Sequence, residues 1–200
     1  ILKAGLYPFH GWVTKAYINS APSIAGFLAG CVGKVALFKI YKVNQILLIN
    51  DDILHFATLL GRVINFACLC GIVVISFNIV NAKYLRKEIS LSSVMQSSFT
   101  LLCIFSFNQT MFNAAMWQML AHTISIGVIF TSIEIASFWE RGGKTMYEAQ
   151  KKTSAEVLNS ECNNFHRRVH FGNPLVKLLF VMLFLNIAGY PITIGFFAKL

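Results

Sequence analysis

Charge is scarce in this chain, and negative charge most of all: 17 lysines and arginines and 8 aspartates and glutamates among 200 residues, 12% charged in total. A soluble domain ordinarily draws about a quarter of its residues from those four types. A water-facing globular surface is therefore excluded. The motifs of soluble enzymes are missing as well: there is no G-x-S-x-G elbow, no phosphate loop and no H-E-x-x-H helix, which removes the usual acyl-transfer, nucleotide and zinc-hydrolase chemistries. Five cysteines, Cys31, Cys68, Cys70, Cys103 and Cys162, form no run suited to an iron–sulfur cluster. Cys68 and Cys70, two residues apart on a helix, point to nearly opposite sides and read as small core residues. His166 and His170 have a metal-like spacing but stand alone. Residues 1–20 carry no charged start, apolar run and small-residue cleavage site, so they do not read as a secretory leader.

What is abundant is apolar sequence, 56% of the chain, and it comes in long blocks rather than at amphipathic spacing. A helix needs roughly 20 apolar residues to cross about 30 Å of hydrocarbon. Such blocks predict spans at about 22–42, 56–81, 112–139 and 174–200. A fifth, serine-rich block at 90–107 holds no charge, and small hydroxyls are tolerated where helices face one another. Residues 1–13 are too short to span and read as part of a helix begun earlier, while 140–173 form a polar loop. The expected fold is a single all-α, polytopic transmembrane helix bundle. Broken helices are expected at Pro8 and at Pro191, which follows Ala188-Gly189 inside the last block. Proline there removes a backbone hydrogen bond, and such breaks survive at membrane depth only beside protein or a wet cavity.

The net charge of +9 invites a nucleic-acid reading until its placement is considered. Lys15, Lys83, Arg86, Lys87, Arg141, Lys144, Lys151, Lys152, Arg167 and Arg168 fall in alternate connections, and the opposite ones hold Asp51 and Asp52 or no charge. That is the positive-inside pattern. It puts 14–21, 82–89 and 140–173 on the cytoplasmic or matrix side and leaves no role for nucleic acid.

A charged lysine at mid-bilayer costs about 2.5–3.5 kcal/mol on insertion scales. Lys34 lies near the middle of its block, too deep to snorkel. Ser23, Gly26 and Gly30 share its ridge, and Gly26-x-x-x-Gly30 permits close helix approach that aims Lys34 inward. A lysine so placed either gains and loses a proton or is locked in a structural ion pair. Gln118, His122, Ser125 and Ser132 form a polar stripe on one span, and Ser92, Gln96, Thr100 and Cys103 form one on the span before it. Two such faces in contact serve either as a file for proton transfer or as interhelical hydrogen-bond glue. His122, with a reference pKa near neutral, favours the first. Glu134 and Gln118 are further relay candidates. Lys3 and Lys199, at the chain ends, are candidates too, with Lys199 otherwise an interfacial anchor.

Lys3-Ala-Gly-Leu-Tyr-Pro-Phe-His-Gly-Trp-Val13 resembles the broken-helix motif of the antiporter-like membrane subunits of respiratory complex I, and Ala21-Pro22, Tyr84 to Ser93 and Ala188 to Lys199 fit the same family. The resemblance implies a relay of Lys3, Lys34 and Lys199, which His122 joins by its place on the polar stripe. Lys34 and Lys199 make the chain most like NADH dehydrogenase subunit 2, while Gln118 to His122 is more like subunit 4. It further implies a split or partial subunit of the membrane arm of NADH:ubiquinone oxidoreductase in the mitochondrial inner membrane, the bacterial plasma membrane being the alternative. Other membrane-arm subunits would be its partners, one of them supplying the upstream helices and an acidic partner for Lys3. FMN, iron–sulfur clusters and ubiquinone would belong to other subunits, leaving this chain no cofactor of its own beyond bound phospholipid. The alternatives are a subunit 4- or 5-like paralogue, a subunit of a multisubunit sodium/proton antiporter, and a structural membrane module that moves nothing.

Overall fold

The computed structural model describes Gly5, Tyr7 and residues 9–47, 51–82, 85–140, 174–188 and 190–191. Lys3, Pro8, Lys199 and the loop 141–173 lie outside the described residues. Within them the ordered elements are helices: α1 (Gly11–Asn19), α2 (Pro22–Phe27), a π turn (Leu28–Val32), α3 (Gly33–Leu47), α4 (Asp51–Val80), α5 (Leu85–Ile104), α6 (Gln109–Glu140) and α7 (Pro174–Ala188). The chain is an all-α transmembrane bundle.

Proline explains where the first long helix begins. Pro22 is the first residue of α2, a position whose missing N–H would have no partner anyway and whose fixed φ suits a helix. From there α2, the π turn and α3 run on as one apolar rod, Pro22–Ile46. Asn108 starts α6 in another way: its Oδ1 accepts from the Thr110 N–H at 3.1 Å and from the Thr110 hydroxyl at 2.9 Å, and its carbonyl accepts from Phe112 N–H at 2.9 Å. Just before it, Phe107 takes a positive φ of 54° that ends the preceding helix. Its ring closes on Gly61 of α4, where an added Cβ would stand 2.6 Å from Phe107 Cε2.

Among the described residues three helices are long and apolar enough to cross a membrane: Pro22–Ile46, His55–Val80 and Gln109–Ile135. The helix over the serine-rich block, α5, is not one of them by hydropathy, yet it is the most enclosed. Ser90, Ser93, Gln96, Ser97, Ser98 and Thr100 are all buried there, with α4, α6, α1 and α3 around it. In contrast, α4 exposes Phe56, Leu59, Val63, Phe66, Val73 and Phe77, a stripe at helical spacing that suits lipid. The bundle is thus polar at its centre and apolar at its rim, and α5 owes its central place to the helices packed around it rather than to its hydropathy.

The rod carrying Lys34 lies close along α6. A Cβ on Gly26 would sit 3.0 Å from Phe130 Cβ, and one on Gly30 would touch Thr123 at 3.6 Å. These small residues let the two backbones approach. α7 ends at Ala188, and the Tyr190 N–H reaches back to the Leu185 carbonyl at 2.9 Å. Pro191 stands beyond that end in a turn.

Candidate functional site

Lys34 occupies the midpoint of Pro22–Ile46, is 8% exposed and turns inward to α5. Its Nζ donates to Ser97 Oγ at 3.4 Å, so its recorded partner is a hydroxyl rather than a carboxylate. The Ser97 hydroxyl in turn donates to the Ser93 backbone carbonyl at 3.0 Å. Ser93 Oγ lies 3.2 Å from His122 Nε2 on α6. Lys34, Ser97, Ser93 and His122 therefore form a buried line from one helix to the next, with α5 between them.

The line has one interruption. Because the single proton of Ser97 goes to a main-chain carbonyl, its side chain does not donate directly to that of Ser93. A cavity with about 10 Å³ of room lies beside this gap, lined by Ser93 and Ser97 together with Tyr17, Gly33 and residues of the π turn. That is roughly the space one water molecule needs.

A second polar group lies further along α5. Gln118 Nε2 donates to Gln96 Oε1, and Gln96 Nε2 reaches the Ile187 carbonyl at 3.4 Å, near the end of α7. Asn186 on α7 donates to Ser125 Oγ on α6. Three further hydroxyls satisfy themselves: Ser98, Thr100 and Ser132 each donate to the carbonyl four residues before.

The π turn lies against Thr123 of α6. Thr123 Oγ1 stands 3.2 Å from the Gly30 carbonyl and 2.8 Å from the Met119 carbonyl of its own helix. A π turn leaves its carbonyls imperfectly paired, and such turns gather at functional sites. Here the single Thr123 proton is shared between the Gly30 carbonyl, one turn before Lys34, and the Met119 carbonyl.

The structure thus brings Lys34 and His122 into one line and sets Gln118 beside it. Glu134 lies away from that line, half-buried near the end of α6, where its Oε2 accepts the Ser23 N–H at 2.9 Å. On α5 the helical stripe through Ser92 is not the face that meets Lys34 and His122; Ser97 and Ser93 respectively make those contacts, and Gln96 serves the second group. Ser93 and Ser97 were detectable by their four-residue spacing. Asn186 was detectable as an amide within an otherwise apolar block. Arg86, at the start of α5, donates from Nη1 to the Ile18 and Ser20 carbonyls at 3.1 and 3.2 Å, a role that sequence gives no sign of.

Comparison with known proteins bears on what such a line does. The family described as NADH:quinone oxidoreductase/Mrp antiporter, TM, matches residues 1–200. The chain belongs to that family. Among curated relatives, NADH-quinone oxidoreductase subunit N of Desulforudis audaxviator is 24% identical over 99% of this chain and 35% of its own length. Subunit N of Beutenbergia cavernae is 23% identical over 100% of the chain and 34% of its own length. NAD(P)H-quinone oxidoreductase chain 4-2 of Synechocystis is 29% identical over 64% of the chain and 22% of its own length. The chain spans about a third or less of the length of these relatives. No solved structure matches it significantly. Membership of the oxidoreductase/antiporter family agrees with a membrane bundle whose polar groups are gathered inside.

Proposed function

We propose that this chain is the proton-conducting middle part of a subunit 2-like member of the membrane arm of NADH:ubiquinone oxidoreductase, seated in the mitochondrial inner membrane. The observation that carries the reading is the buried line Lys34, Ser97, Ser93, His122. Lysine and histidine are both able to hold and release a proton, and hydroxyls between them pass one by rotating. In this reading Ser97 turns from the Ser93 carbonyl toward a water in the adjoining cavity. That water joins it to Ser93 and so to His122. Lys3, beside an acidic group from another polypeptide, and Lys199 extend the path at its two ends, and Gln118 with Gln96 supports the branch toward α7.

Lys34 and Lys199 favour subunit 2 over the subunit 5-like and 4-like paralogues. FMN, iron–sulfur clusters and ubiquinone then reside in companion subunits that contact this chain. The family's description also covers Mrp antiporters; recovery of flavin and iron–sulfur proteins with the purified complex separates the two readings.

The test is Ser97→Cys in the assembled complex. A thiol fills the place of the hydroxyl but is a weak hydrogen-bonder, so protons pumped per NADH oxidised should fall severalfold. An unchanged ratio in a fully assembled complex refutes the line.

A further inference from the structure

Two charged side chains meet the backbone at one elbow, where α1 gives way to the Lys34 rod. Arg86 holds the Ile18 and Ser20 carbonyls at 3.1 and 3.2 Å. These flank Asn19, the last residue of α1, and carbonyls there have no partner within the helix. Five residues beyond Ile18, the Ser23 N–H donates to Glu134 Oε2 at 2.9 Å. Ser23 is the second residue of α2; its N-cap Ala21 makes no side-chain cap, and Pro22 has no N–H to offer. A cation therefore sits at the C-terminus of one helix and an anion at the N-terminus of the next, each at the pole of the helix dipole that favours it.

We propose that Arg86 and Glu134 clamp this elbow as positioning residues, fixing the axial register of Pro22–Ile46 so that Lys34 stays opposite Ser97. Arg86 and Ser97 lie on the same helix, α5: Arg86 holds the end of α1 that leads into the rod, Glu134 of α6 holds the rod's first turn at Ser23, and Ser97 meets Lys34 further along the same rod. The clamp at the elbow sets the contact at Lys34. A slip of one residue is about 1.5 Å along the axis, enough to carry a 3.4 Å contact out of hydrogen-bond range. Glu134 has a different part here from that of a proton carrier: its Oε2 accepts from the Ser23 main-chain N–H and holds the first turn of the rod. The functional half of this inference rests on the proton-path reading; the structural half does not.

The test uses the assembled complex in native membranes, with Glu134→Leu, Glu134→Gln, Arg86→Leu and Lys34→Met. Amide hydrogen exchange across residues 20–25 reads the clamp whether or not protons move. Glu134→Leu and Arg86→Leu should each speed it about fivefold, the usual consequence of losing a helix cap, and Glu134→Gln, whose amide oxygen still accepts from Ser23, should leave it near the parental rate. Protons pumped per NADH should fall in both leucine variants and stay within twofold of the parent in Glu134→Gln. A glutamine variant as defective as the leucine one overturns the clamp in favour of a carboxylate that carries protons, and unchanged exchange in both leucine variants overturns it outright. If exchange responds as expected while Lys34→Met pumps normally, the clamp stands and the proton path through Lys34 falls. Where a leucine variant fails to assemble, Glu134→Gln decides alone: parental exchange and pumping support the clamp, and a loss of either overturns it.

Discussion

Replacing Lys34 with Met should separate stability from transport. The side chain is 8% exposed at the middle of a membrane rod, and a charged lysine there costs about 2.5–3.5 kcal/mol on insertion scales. Its recorded return is a single long contact of 3.4 Å to Ser97. Losing that contact orphans nothing essential, because the Ser97 hydroxyl keeps its donation to the Ser93 carbonyl at 3.0 Å. Methionine fills nearly the same volume with flexible apolar atoms, a change that costs less than about 1.5 kcal/mol in a packed core. The sum favours the variant by about 1–2 kcal/mol, so the assembled complex should melt no earlier than the parent and pump far fewer protons. Lys34→Ala, which leaves a cavity and loses about 2–5 kcal/mol of packing, should fail in both respects. The assay pairs a thermal melt of the purified complex with dye-reported acidification and NADH oxidation in vesicles. A methionine variant that melts earlier yet pumps normally would refute the argument, since it would make Lys34 a structural group whose charge stabilises the fold.

Other expectations concern the surroundings of that line. Gly26→Ala should destabilise the complex by about 1–3 kcal/mol, because its Cβ would meet Phe130 Cβ at 3.0 Å, whereas Gly33→Ala, with nothing within 4 Å of its Cβ, should gain up to about 1 kcal/mol of helix propensity; melting of the two variants compares them directly. Gln118→Leu should cost about 1–3 kcal/mol by leaving Gln96 Oε1 buried without its donor, and the double variant Gln96→Leu with Gln118→Leu should cost less than the sum of the single ones; additive losses in a double-mutant cycle would mean the two amides do not interact. Phe66→Asp on the outer face of α4 should lower membrane insertion by about 2.5–3.5 kcal/mol, read as the inserted fraction during synthesis; normal insertion would show that this face does not meet lipid.

Three of the spans, Pro22–Ile46, His55–Val80 and Gln109–Ile135, were legible because length and hydropathy suffice to find a helix that must satisfy its own backbone in lipid. The inward turn of Lys34 was legible too, since Gly26 and Gly30 lie on its ridge and small residues mark the side on which another helix comes close. α5 was harder. Its serines lower its hydropathy, and a helix enclosed on every side offers several polar stripes of equal merit, so periodicity alone chose the Ser92 face when Ser93 and Ser97 are the ones that meet Lys34 and His122. The elbow was not legible at all. Ser23 and Glu134 are 111 residues apart, and Arg86 reads as a topological charge until its carbonyl partners are seen.

The placement of the polar groups carries its own argument about function. α5 could not stand in lipid by itself, yet most of its hydroxyls are cheap to bury because each returns its proton to a carbonyl of the preceding turn, as Ser98 and Thr100 do. A serine used only as glue or filler would resemble these. Lysine, imidazole and the two glutamine amides have no such local remedy, so each must find a partner on another helix or remain a costly defect. In this chain those demanding groups are not scattered at separate interfaces. Lys34, His122 and the pair Gln96 and Gln118 converge on the one helix whose self-satisfied hydroxyls can be rotated at small cost, and an apolar rim shields them. Structural stability alone would be better served by apolar residues at those positions, and the proton path proposed above supplies a reason to keep them.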